Sequence, residues 1–346
     1  MPTDRPAQSP PAASSPTAHS KRTDSDALAE RVVAGDPSAI AEALNQVDNR
    51  RPECRANALA VLDALEGRGH GARIGVTGAP GAGKSTLLDA LVSALRKQGR
   101  TVGILAVDPS SRRSGGALLG DRMRLGSAAR DAGVFLRSLA ARDRLGGLSE
   151  VTGPSLDVLV AAFDVVFVET VGVGQSESEI TDLVDTLVFV AQPGTGDLIQ
   201  FMKAGILEWP DVFFVNKAEH AATAQQTAAE LRAGIGLGSR RDAGHQPPVL
   251  SGSASEGVGI DALIEAIDEH QAYLAGSGEG RARREASRVA RVRSALATDY
   301  GRLGLSVLEG PLTVEAFVAG RPDVSVARLF AELGERVEEA LSDERH

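Results

Sequence analysis

The chain has 346 residues, enough for one large domain with appendages or for two modest domains. Its net charge of −9, from 37 basic and 46 acidic side chains, excludes a broad nucleic-acid surface, which needs a basic face. Cys54 is the single cysteine, so no disulfide framework can form within one chain, and no apolar run approaches the roughly 20 residues a membrane helix needs; a reducing, cytoplasmic setting is expected.

Aromatic residues make up only 3% of the chain against 42% apolar overall, so the core must be built mostly from Ala, Val, Leu and Ile. Residues 1–23 are rich in Pro, Ser, Ala and Thr without apolar periodicity and read as a disordered tail. Residues 24–70 read as an N-terminal helical extension with three apolar faces. The first carries Leu28, Val32 and Val33. The second carries Ile40, Ala43, Leu44 and Val47 and is started by Asp36-Pro37. The third carries Ala58, Leu59, Leu62 and Leu65 and is closed by Gly67.

From residue 71 to 275 the pattern alternates between strands and helices. Strand patterns fall at 73–77, 101–107, 134–139, 164–169, 185–191, 211–216 and 248–252. Several are short apolar runs with branched residues, as expected of strands buried on both faces. The expected fold is α/β, with a mainly parallel central sheet. Gly276 to Gly280 reads as a linker, and residues 276–346 as a C-terminal helical region. That region opens with Arg281, Arg283, Arg284, Arg288, Arg291 and Arg293, a run that reads as a solvated helix face or, failing that, as a dimer or partner surface.

The strongest chemical signal is Gly78-Ala79-Pro80-Gly81-Ala82-Gly83-Lys84-Ser85-Thr86. It fits G-x-x-x-x-G-K-[ST] and lies between a strand and a helix. The glycines let backbone N–H groups converge on phosphate oxygens, and the helix starting near Lys84 adds its positive dipole end. Lys84 is expected to bridge the β- and γ-phosphates, and Ser85 to give Mg²⁺ a hydroxyl ligand. The pattern is that of a P-loop nucleoside triphosphatase.

Two carboxylates follow strand ends: Asp108, before Pro109-Ser110-Ser111, and Glu169, before Thr170-Val171-Gly172. Residues just past the carboxyl ends of strands line the ligand crevice of an open α/β sheet. Asp108 and Glu169 are therefore expected beside Mg²⁺, with Asp121 as a further member after the flexible Gly115-Gly116 stretch. The Gly172 amide is placed to sense the γ-phosphate and to release its loop when that phosphate is lost. Val173 stands where many GTPases have a water-orienting Gln, with Gln175 two residues on, so unaided hydrolysis is expected to be slow and accelerated by a partner. Asn216-Lys217-Ala218-Glu219 follows the strand at 211–216 and resembles the N-K-x-D guanine element, with Glu219 in place of Asp. Ser253-Ala254 fits the companion loop at the guanine carbonyl.

Together these residues resemble the MeaB/ArgK family of P-loop GTPases, chaperones of adenosylcobalamin-dependent methylmalonyl-CoA mutase. The resemblance runs from about residue 28 onward. It is carried by Gly78–Thr86, Asp108–Ser111 with Gly115–Asp121, Arg142–Gly147, Glu169–Glu177, Gly194–Gln200 through Lys203, and Asn216–Glu219. It implies a homodimer with a C-terminal helical dimerisation arm, a role in gating cofactor delivery to the mutase and ejecting damaged cobalamin, and a switch that gives Asp197, Gln200 and Lys203 a part in signalling to the mutase. Two departures stand out: Glu219, and Asp143-Arg144 where the family usually has Gly and His. Other readings are an ATP-using kinase tied to amino-acid transport, a metal-insertion GTPase, and a nucleotide-dependent interaction module that does not hydrolyse. The scattered histidines, without zinc or nickel spacing, count against metal insertion.

Overall fold

The structure, a computed structural model, describes residues 17–49, 51–109, 131–141, 148, 150–170, 176–194, 205–219, 221–235, 244–308 and 313–343. Seven strands form one sheet: β1 (Ala72–Gly78), β2 (Val102–Pro109), β3 (Val134–Ala141), β4 (Val165–Glu169), β5 (Thr186–Ala191), β6 (Val212–Val215) and β7 (Val249–Ser251). Their order is β3-β2-β4-β1-β5-β6-β7, and every pairing is parallel. Each strand pattern in the sequence corresponds to one of them. The apolar runs of β4, β5 and β6 are buried on both faces, as a helix-covered parallel sheet requires.

Alternation along β5 assigns the two faces. Val188 and Val190 meet α4 (Lys84–Lys97), whose Leu87, Leu88, Leu91, Val92 and Leu95 recur at helical spacing, and α8 (Ile260–Ser277). Leu187 and Phe189 point to the other face. There lie α1 (Thr17–Val33), α2 (Pro37–Asp48), α3 (Pro52–Leu65), α5 (Thr152–Ala162) and, over β6 and β7, α7 (Ala221–Ile235); the short α6 (Ser176–Thr181) leads into β5. Helix α1 starts at Thr17, inside the stretch that the sequence reads as a tail. Helix α2 starts as expected: Pro37 occupies its first turn, and the Asp36 carboxylate accepts from the Ser38 and Ala39 amides at 2.9 and 3.4 Å. No described helix is long and apolar enough to cross a membrane.

The C-terminal region corrects two expectations. Gly276–Gly280 is not a loop: α8 ends at Ser277, Gly278 alone turns the chain at φ 80°, and α9 (Glu279–Val307) begins at the next residue. The Arg run is not a solvated face either. Arg283 is buried and donates to the Asp211 carboxylate at 2.9 Å and to the Asp185 carbonyl at 2.6 Å. Arg284 makes a two-pronged bond to the Asp185 carboxylate at 3.1 and 2.8 Å. Arg288 reaches Glu66 at 2.7 Å, and Arg291 grips Asp157 at 3.2 and 2.6 Å. Arg281 and Arg293 remain on the solvated side. Arg284, Arg288 and Arg291 are spaced four and three residues apart, which places them on one stripe of the helix, and Arg283 lies beside it. Together they face carboxylates at the N-terminal edge of the sheet, just past the end of α3 and on α5. Helices α10 (Val314–Ala319) and α11 (Val326–Asp343) close a separate small core with α9 around Val292, Leu296, Phe317, Leu329 and Leu333. Arg328 and Ser325 tie this unit to Asp63 of α3.

Two stability experiments follow from these pairs. Arg283→Ala leaves buried Asp211 without its guanidinium, so it should lower the unfolding free energy by about 3–5 kcal/mol in urea titration, whereas Arg281→Ala should have no measurable effect. Burial pushes the Asp157 carboxyl up, but the Arg291 and Arg73 guanidinium groups outweigh it and hold the carboxyl below its ordinary range. A depressed carboxylate stabilises the folded state above its unfolded pKa and loses that contribution as pH falls through the folded value. The stability gap between wild type and Asp157→Asn should thus be full at neutral pH and shrink below about pH 4.

Candidate nucleotide site

Because all strands are parallel, their carboxyl ends share one edge of the sheet. After β1 the chain moves to β2 on one flank, and after β4 it crosses to β5 on the other, so β1 stands at the topological switch point where α/β sheets open a ligand crevice. The loop 78–86 leaves β1 at that point.

Two glycines of this loop are required by close approach. A Cβ on Gly78, whose φ is 141°, would lie 2.1 Å from the Val190 carbonyl of β5. A Cβ on Gly83, whose φ is 91°, would lie 2.5 Å from Nδ2 of Asn216. Helix α4 starts directly after Gly83 with no side-chain cap, so its first-turn amides lie outside the helical ladder and point out of the helix end. Lys84 is only 7% exposed, and its Nζ curls back to donate to the Gly78 and Ala79 carbonyls at 2.8 and 3.2 Å. The ammonium is held across the loop beside those amides, a concentration of positive charge suited to an anion.

On the β4 side, Ser85 Oγ donates to Glu169 Oε1 at 2.8 Å. The pair joins the second residue of α4 to the end of β4 and offers hard oxygen donors of the kind Mg²⁺ takes. Behind it, Thr170 Oγ1 donates to Thr77 Oγ1 at 3.1 Å, both buried, and the Thr170 amide donates to the Val76 carbonyl at 3.2 Å. These two threonines were not picked out in the sequence; their signal is simply that each flanks a motif residue at a strand end. The Asp108 backbone is one residue from the end of β2, paired with Ala140 of β3. The Asp108 side chain lies outside the described residues, as do Asp121, Asp143, Arg144, Gly172, Asp197, Gln200 and Lys203.

On the β6 side, Asn216 is buried and staples two loops together. Its Nδ2 donates to the Ala82 carbonyl at 2.9 Å, and its Oδ1 accepts from the Ala254 amide at 3.0 Å. Lys217 has a φ of 58°, a left-handed conformation that a non-glycine residue keeps only where its surroundings enforce it. Its Nζ donates to the Gly81 carbonyl at 2.7 Å and to Gln192 Oε1 at 2.9 Å, so its stem runs along the loop. Glu219 accepts from Ser253 Oγ at 2.5 Å. The structure therefore brings Gly78–Thr86, Glu169, Asn216, Lys217, Glu219, Ser253 and Ala254 to one edge. This arrangement can bind a polyanion at the α4 end and present an oriented carboxylate some way along the edge.

Residues 40–301 match the family described as "Methylmalonyl Co-A mutase-associated GTPase MeaB". The chain belongs to the MeaB family of GTPases. A Pyrococcus horikoshii protein described as a putative GTPase is 43% identical over 257 residues, 73% of this chain and 80% of its own length. GTPase ArgK of Escherichia coli is 37% identical over 252 residues, 72% of this chain and 76% of its own length. The mitochondrial methylmalonic aciduria type A homolog of Mus musculus is 33% identical, over 75% of this chain and 66% of its own length. A solved LAO/AO transport system kinase superposes with a TM-score of 0.66 at 26% identity, over 94% of this chain and 100% of that one.

Replacing Asn216 by Ala would strand the buried Ala82 carbonyl and Ala254 amide. It should cost about 1–3 kcal/mol of stability, read by denaturant unfolding of the chain without nucleotide, before any effect on ligand binding is counted.

Proposed function

We propose that this MeaB-family chain is a Mg²⁺-dependent GTPase whose nucleotide state gates adenosylcobalamin loading of an acyl-CoA mutase of the methylmalonyl-CoA type, and protects or reactivates that mutase. One observation carries the proposal: a Ser–Glu oxygen pair at β4, an uncapped helix end with its lysine after β1, and an Asn-Lys-x-Glu turn braced by Ser253 after β6 lie along one sheet edge in that order.

In this reading the amides of Gly78 to Thr86 wrap the phosphates, and Lys84 exchanges its two carbonyl partners for β- and γ-phosphate oxygens. Ser85 and Glu169 would hold Mg²⁺, with Asp108 and Asp121 as further ligands directly or through water. When bound, the metal neutralises charge on the β- and γ-phosphate oxygens. Gly172 senses the terminal phosphate through its amide. The Glu219 carboxylate accepts the guanine N1–H and 2-amino protons, while Lys217 covers the ring and Asn216 fixes both loops. Adenine has an unprotonated N1 and no 2-amino group, so it would leave the carboxylate facing an acceptor. Asp197, Gln200 and Lys203 carry the nucleotide state to the mutase, and residues 276–346 pair two copies into a homodimer. The family description and the name of the mouse relative support the mutase as client. The name of the solved relative favours a second reading, an ATP-using kinase tied to transport.

Turnover of GTP and ATP by the purified chain separates the two. The GTPase reading expects Mg²⁺-dependent GTP hydrolysis below about 1 s⁻¹ alone, a rise on adding the mutase, loss of activity with EDTA or Lys84→Ala, and no competition by ATP. Preferential use of ATP would overturn it. Lys203→Ala should blunt the stimulation by the mutase; stimulation of normal size would remove Lys203 from the switch.

A further inference from the structure

Glutamate at position 219 poses a physical problem. It has one more rotatable bond than aspartate, and it is exposed, so its carboxylate would sample several positions before a base arrived. Ordering it at binding would subtract from both affinity and selectivity.

The structure holds it from two sides. Ser253 Oγ donates to Glu219 Oε1 at 2.5 Å, and Ser255 Oγ donates to the same oxygen at 3.2 Å. The two hydroxyls are 3.1 Å apart, so they form a compact pair around one carboxylate oxygen. Ser253 belongs to the companion loop read from the sequence, but Ser255 does not. It sits on a turn that is closed without its side chain: the Ser253 amide donates to the Val258 carbonyl at 3.0 Å, and the Val258 amide returns a 3.0 Å bond to Ser253. The turn is further locked at Gly252, where a Cβ would fall 2.3 Å from the Val258 carbonyl. The stretch that carries Glu219 is itself pinned to this region, because the Ala218 amide donates to the Gly252 carbonyl at 3.0 Å. Both ends of the Ser255–Glu219 bond therefore rest on fixed backbone, and the bond sets the side chain between them.

We infer that Ser255 is a positioning residue for base selectivity: with Ser253 it holds Glu219 Oε1 in advance, so that the longer acid can pair with a guanine edge. The inference rests on the guanine-binding reading of this edge. A hydroxyl that only stabilised the turn would matter equally whatever acid stood at 219. A hydroxyl that positions Glu219 matters only while the side chain is long enough to reach it.

Calorimetric titration with GDP, IDP and ADP in the presence of Mg²⁺ tests this, using the full chain and the variants Ser255→Ala, Ser255→Thr, Glu219→Asp, Glu219→Asp/Ser255→Ala and Glu219→Ala. IDP lacks the 2-amino group and so reports on one of the two contacts. Ser255→Ala should lower the preference for GDP over IDP by about fivefold, the size of one lost hydrogen bond, and Ser255→Thr should restore it. On the Glu219→Asp background, Ser255→Ala should change GDP affinity by less than about twofold, the additivity limit for uncoupled sites. An equal loss on both backgrounds, or an unchanged GDP/IDP preference in Ser255→Ala, overturns the inference. If instead Glu219→Ala keeps the preference for GDP over ADP, or the wild type has none, the guanine-binding reading itself falls, whatever Ser255 does.

Discussion

The structure turns on the start of α4. A helix that begins straight after a left-handed glycine, with no side-chain cap, presents amide protons that its own ladder does not use. Lys84 adds a nearly buried ammonium to the same place. In a chain with a net charge of −9, this is a local concentration of positive charge aimed out of the sheet edge, and a phosphate is the chemical complement that such a helix end accepts. The rest of the fold is what makes that arrangement possible. Gly78 must lie against the Val190 carbonyl, and Gly83 against Asn216, so β5 and β6 have to sit where the parallel sheet puts them.

The same two strands connect the nucleotide edge to the C-terminal helices. β5 is preceded by Asp185 and followed by Gln192; β6 is preceded by Asp211 and followed by Asn216. Arg284 and Arg283 of α9 clamp the two aspartates, while Gln192 and Asn216 engage Lys217 and the phosphate loop. Each strand is thus fixed at one end by an ion pair to α9 and at the other by a hydrogen bond within the site. Asp211 also accepts from the Leu187 amide at 2.8 Å, which joins β5 and β6 just inside the clamp.

The sheet was readable because buried parallel strands write themselves as short runs of Val, Ile, Leu and Phe between turn residues, and each of the seven runs read as a strand is one. The loop 78–86 was readable because close backbone approach demands glycine at fixed intervals. What local pattern did not reveal was pairing at a distance. Arg283 and Arg284 look like a solvated run because their partners stand 72 and 99 positions earlier, as single aspartates before strands. Gly278 hid inside an apparent linker because one left-handed residue suffices to separate two helices. Ser255 gave no signal, since an exposed serine in a turn is ordinary until the glutamate opposite is seen to need it. The Asp108 side chain, Asp121, Gly172, Asp197, Gln200 and Lys203 lie outside the described residues, and their expected roles come from motif and family.

The measurement that bears most directly on the central claim is a crystal structure of this chain with Mg²⁺ and a non-hydrolysable GTP analogue. The expected result is a triphosphate at the N-terminus of α4, with Lys84 drawn off the Gly78 and Ala79 carbonyls onto its oxygens and the base beside Glu219. A nucleotide bound elsewhere, or one whose base lies away from the 216–219 turn, would contradict it.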